Sequence, residues 1–238
     1  MKLTKSKKQE LLIFLVIVGI AAFFRLYKLD TFPPGLYPDE AINGNNAIEA
    51  IETGKFKVFY SENNGREGLF INLQALSVKI FSNHSWSLRL VSAIIGIITV
   101  IGLYFLVKEL LEWKLAAISS FLMAISFWHV NFSRIGFRAI MLPFILIYTF
   151  YFLWKGIKNS HLPDFVMAGF FSGLGFYTYI SYRIAPLIAI VLFINYWWYL
   201  KKDFQDSINQ LTRFAASLHL GIHQSEYARI VARHFYSP

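Results

Sequence analysis

The stretch LLIFLVIVGIAAFF, Leu11 to Phe24, constrains the fold more than any other part of the chain. A bilayer core contains no water to satisfy bare backbone groups, so a run of roughly 20 apolar residues crosses it as a helix. Five more runs fit this description. The pattern predicts six spans, at about 10–27, 88–107, 113–131, 139–156, 164–181 and 184–200. Composition agrees. The 238 residues are 56% hydrophobic and 16% charged, against about 25% charged in a soluble domain, and mean hydropathy is +0.47. The expected fold class is all-α, a polytopic membrane helix bundle. The absence of cysteine excludes disulfides, thiolate zinc sites and a cysteine nucleophile.

Net charge is +9. In a soluble protein that would suggest nucleic acid, but here the cations sit in short segments between spans, where they set topology, and no nucleic-acid partner is expected. Lys2, Lys5, Lys7 and Lys8 precede span 1, Lys108 and Lys114 separate spans 2 and 3, Lys155 and Lys158 separate spans 4 and 5, and Lys201 and Lys202 follow span 6. All fall on one side, which the positive-inside rule makes cytoplasmic. The first run, with MKLTKSKK ahead of it and no small-x-small site after it, reads as an uncleaved signal anchor. The expected location is the cell membrane, multi-pass, with a cytoplasmic N-terminus. The loop 29–87 and the turns near 132–138 and 181–183 then face outward. These outer turns carry arginine instead of lysine: Arg134, Arg138 and Arg183. A guanidinium fork suits phosphate or carboxylate. The same arginines can instead cap helix C-termini, snorkel to headgroups or pair with loop carboxylates.

The outer loop holds GLYPDEAINGNNAIEAIETG, Gly35 to Gly54. Asp39 stands at a predicted N-cap, Glu40 follows in the first turn, and Gly54 marks the stop. Ala41, Gly44, Ala47, Ile48 and Ile51 share one face; Asn43, Asn46, Glu49 and Glu52 tend to the other. This predicts an amphipathic helix in the outer interface. Asn63, Asn64 and Gly65 read as a turn. Arg66 and Glu67 follow, either as a surface pair or facing the same cavity as Asp39. Leu69, Phe70, Leu73, Leu76 and Ile80 then form a second apolar stripe for the interface. Asp39 and Glu40 can serve only as cap and dipole partner, and Glu49 and Glu52 read as a solvated face.

Several weaker patterns remain. Tyr177, Tyr179 and Tyr182 cluster by Arg183, where aromatic faces can pack a sugar or form an interfacial belt. Gly169, Gly173 and Gly175 have small-xxx-small spacing, which predicts close helix packing. His84, His129 and His161 have no ligand spacing. Asn83-His84-Ser85 and Asn131-Phe132-Ser133 match sequons that matter only in a eukaryotic secretory route.

PDEAINGNNAIEAIETG, GREGLFINLQALSVKIF, SLRLVSAIIGIITVIGLYFLVKEL and FSRIGFRAIMLPF, in this order and spacing, resemble the GT-C membrane glycosyltransferases over about residues 10–200. The branch is the protein mannosyltransferase-like group, which includes lipid A aminoarabinose transferases and the RgtA/B/C/D-like domain. The resemblance implies transfer of a hexose from a polyprenyl-phosphate carrier to a glycan, lipid or protein acceptor on the outer face, with inversion. It places the acceptor-side Asp at Asp39, with Glu40 as its neighbour. It puts the carrier phosphate on Arg134, Arg138 and Arg183. Many relatives have proline-rich strings at the position of Arg66-Glu67. These two residues join Tyr179 and Tyr182 as candidate substrate-binding groups. No metal ligand set or cofactor is expected, although an Asp-Glu pair can hold a divalent cation. An ion- or proton-coupled transporter would need ionisable groups at mid-span, and the centres of spans 2 to 6 are nearly free of charge.

Residues 1–202 are thus expected to form a GT-C-like N-terminal transmembrane domain. Members of the group usually have about twice as many spans. The 203–238 tail reads as a cytoplasmic amphipathic segment, with a stripe of Ile208, Leu211, Ala215, Leu218 and Ile222, or as a non-native continuation of a truncated gene. The alternative to an active enzyme is an inactive or truncated subunit that binds a lipid-linked sugar or a partner protein.

Overall fold

The computed structural model describes residues 5–202 apart from 63, 189, 192, 193 and 200. The chain forms two units, 1–185 and 186–238. In the second, the described residues are helical through 202, and Asn195 Nδ2 donates to the Val191 carbonyl at 2.8 Å. The predicted tail stripe, Ile208 to Ile222, lies outside the described residues, as does the rest of 203–238.

The first unit is an all-α membrane helix bundle. Helix α1 is Lys5–Leu26, and α2, Pro38–Thr53, lies in the long connection that follows it. A two-residue hairpin, β1 Phe59–Tyr60 and β2 Arg66–Glu67, precedes α3, Gly68–Phe81. Then follow α4 Ser85–Leu110, α5 Trp113–Ile125, α6 Phe127–Arg134, α7 Met141–Asn159 and α8 Leu162–Gly175. Three of these stretches are long and apolar enough to cross a membrane: Ser6–Leu26, Ser85–Leu110 and Arg138–Asn159. The pair α5–α6 makes a fourth if counted as one span bent by 56°. Six full spans are therefore not what the described residues show. The fifth prediction, 164–181, is cut short because the chain folds back on itself after Gly175. Tyr182 lays its ring where a Gly175 Cβ would stand, and its hydroxyl donates to the Ser172 carbonyl at 2.8 Å. The sixth, 184–200, falls largely in the second unit.

Helices α1, α4 and α5 share a core of Ile17, Ala21, Val100, Tyr104, Ala116, Ala117 and Ala124. Alanines on α5 let the helices approach closely, as lipid-embedded packing requires. The bend at Ser126 frees the last carbonyls of α5, which would be costly in an apolar setting. Arg25, fully buried near the end of α1, satisfies them. It donates from Nη1 to Ala124 O at 3.0 Å and from Nη2 to Met123 O at 3.3 Å. It also reaches Ser133 Oγ at 3.2 Å and His129 Nδ1 at 2.7 Å on α6. The predicted close packing at Gly169 and Gly173 is not found: among the described residues nothing lies within 4 Å of a Cβ at either. Phe171 between them stacks with Phe152 and Tyr148 of α7 instead.

Ion pairs mark the two ends of the bundle. At one end Lys108 pairs with Glu10, Lys158 with Glu109 and Lys155 with Asp164. At the other lie α2, the hairpin, α3 and every described arginine.

Candidate active site

Helix α2 begins two residues earlier than expected. Tyr37 is the N-cap, Pro38 occupies the first turn, and Gly54 closes the helix at φ 68°. Asp39 is therefore inside the first turn and not the cap, because proline's fixed φ suits the first helical position. Glu40, at the third position, accepts from the Tyr37 N–H at 3.3 Å. The buried face also differs from the predicted one. It comprises Glu40, Asn43, Gly44, Asn46, Ala47 and Ala50. Asn43 and Asn46, expected outside, are buried, because small residues let α2 settle on α3 and Asn43 finds a charged partner in the hairpin strand β2.

That partner is Arg66. The hairpin pairs Tyr60 with Arg66 and Phe59 with Glu67, and the Gly68 N–H donates to Val58 O at 2.7 Å, which fixes where both side chains emerge. Arg66, 3% exposed, holds Asp39 Oδ1 from Nη2 at 2.8 Å, while the Asp39 side chain remains 32% exposed. Its Nη1 donates to the Asp39 carbonyl at 3.1 Å and to Asn43 Oδ1. The Arg66-Glu67 pair is thus no loose surface pair. Arg66 orients the Asp39 carboxylate in the first turn of α2.

Glu67, nearly buried, draws two arginines from distant elements. Arg138 Nη1 stands 3.5 Å from Glu67 Oε2, and Arg183 Nη2 stands 3.7 Å from Oε1. Glu67 Oε2 and Arg138 Nη1 are buried, yet neither makes a hydrogen bond among the described residues. Arg138 also lies over the Tyr179 ring, 5.6 Å from its centroid, and Arg183 is largely exposed. Arg138, Arg183, Glu67 and Tyr179 therefore converge, and Arg66, next to Glu67 in the chain, carries the cluster to Asp39.

The remaining predicted residues sit elsewhere. Arg134 spends its guanidinium on the carbonyls of Phe24, Tyr27, Lys28 and Phe32, at 2.8–3.2 Å. It closes the C-terminus of α1, the capping alternative for that residue. Tyr182 is buried and packs on Gly175, so its ring offers no face to a ligand. Glu40 is also buried, in a bidentate pair with Arg89, at 2.7 Å to Nε and 3.2 Å to Nη2.

Sequence reading did not single out Arg89, Asn43 or Arg25. Arg89 is 1% exposed and also donates to the carbonyls of Leu29, Pro33 and Gly35. It ties the exit of α1 to the start of α2 and so places Asp39. The available signal was a cation inside the apolar string SLRLVSAIIG, which demands a partner. Among the described residues no group of three or more His, Cys, Asp or Glu is arranged to hold a metal ion.

The pattern of the family described as Dolichyl-phosphate-mannose-protein mannosyltransferase matches residues 69–218. The match begins just after Glu67, so Asp39, Glu40, Arg66 and Glu67 precede it, while Arg89, Arg138 and Arg183 lie within it. The protein of Bacillus subtilis (strain 168) named "Putative mannosyltransferase YkcB" is 26% identical over 224 residues, which cover 89% of this chain and 30% of that protein. The chain thus spans about 30% of the length of this curated relative. With more than half of its residues inside the family pattern, the chain belongs to the dolichyl-phosphate-mannose-protein mannosyltransferase family.

Proposed function

We propose that the chain carries the acceptor-activating site of a GT-C glycosyltransferase that moves a hexose from a polyprenyl phosphate to a hydroxyl at the outer face of the membrane. The observation that carries this reading is the Asp39–Arg66–Glu67–Arg138–Arg183 cluster. In it a partly exposed carboxylate, held in one orientation, adjoins two arginines that share one buried acid.

A sugar hydroxyl is a weak nucleophile, and a carboxylate within hydrogen-bond reach can accept its proton as the new bond forms. Asp39 takes that proton. The acceptor oxygen forms a bond to the anomeric carbon while the bond from that carbon to the phosphate oxygen breaks. The electron pair leaves with the phosphate. In-line attack inverts the centre. Arg138 and Arg183 receive the developing phosphate charge, which fixed donors stabilise best where water is excluded. The unmade hydrogen bond between Arg138 and Glu67 supports this role, since Arg138 keeps a donor to spare. Tyr179, already in contact with Arg138, offers a face to the sugar. Arg134, Glu40 and Arg89 act as supports that hold the outer loop.

The test uses the full chain in lipid, supplied with polyprenyl-phosphate sugars. Asp39→Asn should lower turnover by about 10²–10⁴-fold without loss of folded protein, because Arg66 keeps its bonds to the Asp39 carbonyl and Asn43. Arg138→Ala should weaken donor binding. Turnover indifferent to Asp39→Asn would sink the mechanism. Donor binding without turnover would favour the second reading, a lipid-sugar-binding subunit.

A further inference from the structure

A groove of about 630 Å³ runs between α1 and α5, and no catalytic residue borders it. Leu12, Val16 and Ile20 form one wall, and Ala117, Ile118 and Phe121 the other. Only its mouth is polar, where Gln9, Trp113 and Lys114 meet. The mouth adjoins Glu10, at the lysine-bearing end, opposite to Asp39. On α1 the lining runs from Gln9 to Ile20, about 17 Å at 1.5 Å per residue. One leaflet of a hydrocarbon core about 30 Å thick has nearly that depth.

The charges at the mouth are not balanced. Four lysines lie in the turns at this end, and Lys108, Lys155 and Lys158 each have a carboxylate partner. Lys114 has no ion pair among the described residues, and it borders the groove. Lys8 lies one turn before Leu12 and is exposed. Of the nearby acids, Glu10 is engaged by Lys108 and Tyr104, which leaves Glu112, exposed at the α5 N-cap, against two cations.

We propose that this groove is an anionic-phospholipid site, with one acyl chain along α1 and α5 and the phosphate at Lys114. Basic pockets between membrane helices on the cytoplasmic side select anionic headgroups. A leaflet-deep apolar slot with a cationic mouth meets that description. The polyprenyl-phosphate donor is a different ligand, since its phosphate reacts at the far end of α1.

The experiment places the full chain in nanodiscs of phosphatidylcholine and phosphatidylglycerol and counts retained lipids by native mass spectrometry. The wild type should retain one phosphatidylglycerol in preference to phosphatidylcholine. Lys114→Gln, an exposed change, should cut that retention about fivefold, the worth of one juxtamembrane lysine. Ile118→Trp should fill the slot and expel both lipids. Lys55→Gln, at the opposite end, should change nothing. Equal retention of the two lipids by the wild type would overturn the proposal, as would an equal loss in Lys114→Gln and Lys55→Gln. So would a lipid-free dimer, which would mean that a second copy covers the groove.

Discussion

The buried pair Glu40–Arg89 carries more of the geometry of the segment between α1 and α4 than the groups placed in the chemistry. Both side chains are almost completely out of solvent, and Arg89 satisfies three loop carbonyls besides the carboxylate. Removing one partner of such a pair strands a buried charge, at about 3–5 kcal/mol, whereas replacing both with apolar groups is often neutral. Arg89→Met alone should therefore lower thermal stability sharply. Glu40→Leu alone should do the same. The double variant should recover much of the loss in a melt of the purified protein. Additive losses would mean that the two residues are not coupled. Sequence patterning placed Asp39 at a helix N-cap and Glu40 in the first turn, and left Arg66 and Glu67 as either a surface pair or groups facing the same cavity. It could not separate the two acids. Asp39 and Glu40 are adjacent in sequence, but α2 turns one toward Arg66 and the other inward to Arg89, and only the fold sets that rotation.

At the scale of elements, the segment between α1 and α4 is a small domain stapled by polar contacts. Ala47, Ala50, Tyr60, Ile71 and Ala75 form its core. Tyr60 bonds Asn72 at 2.9 Å, and Lys57 bonds Glu49 at 2.8 Å while lying over the Tyr60 ring. Gly68 is needed where the hairpin meets α3, since a Cβ there would run into the carbonyls of Lys57 and Val58. Those are backbone atoms that cannot swing aside. Gly68→Ala should cost about 1–3 kcal/mol of stability and lower turnover, because it displaces Glu67 and Arg66 together; a silent variant in both assays would contradict the packing. The same domain should loosen in alkali. Burial raises the Tyr60 hydroxyl above its ordinary value, and the bond to Glu49 raises Lys57. Both groups hold their protons more tightly folded than unfolded. Their contribution is complete below about pH 10, the unfolded value, and is lost as pH rises through the folded values. Melting temperatures should hold from pH 8 to about 10 and fall above that, and Tyr60→Phe should flatten that fall; an unchanged slope would exclude Tyr60 as a source. The helices themselves were legible, because apolar runs and the Gly54 stop are local signals. The bend in α5–α6 and the early end of α8 were not. Each depends on a residue far along the chain, Arg25 for the first, or on the chain's return through Tyr182 for the second.

For the whole molecule, the described arginines are confined to one end of the bundle, whereas lysine occurs at both. The described arginines, Arg25, Arg66, Arg89, Arg134, Arg138 and Arg183, all gather at the end that holds α2 and α3, where they bind carbonyls and buried acids. Lysines alone serve the short turns at the other end, each as a point charge beside water. The difference follows from chemistry: a guanidinium fork can satisfy several acceptors inside a dry site, and an ammonium is more strongly hydrated. Bulk charge hides this division, since net charge sums both ends. The lysine end carries the topology signal, which predicts that Asp39 faces out of the cell and the α7–α8 turn faces in. With no native cysteine, single cysteines report this cleanly. Glu52→Cys on α2 and Asn159→Cys at the end of α7 are both at exposed positions. In intact cells a membrane-impermeant maleimide should label the first and spare the second until the cells are opened. The reverse pattern would put the lysines outside, against the rule. It would also place the Asp39 cluster on the side opposite to the one proposed for the acceptor, so this labelling bears on the reaction as well as on the topology.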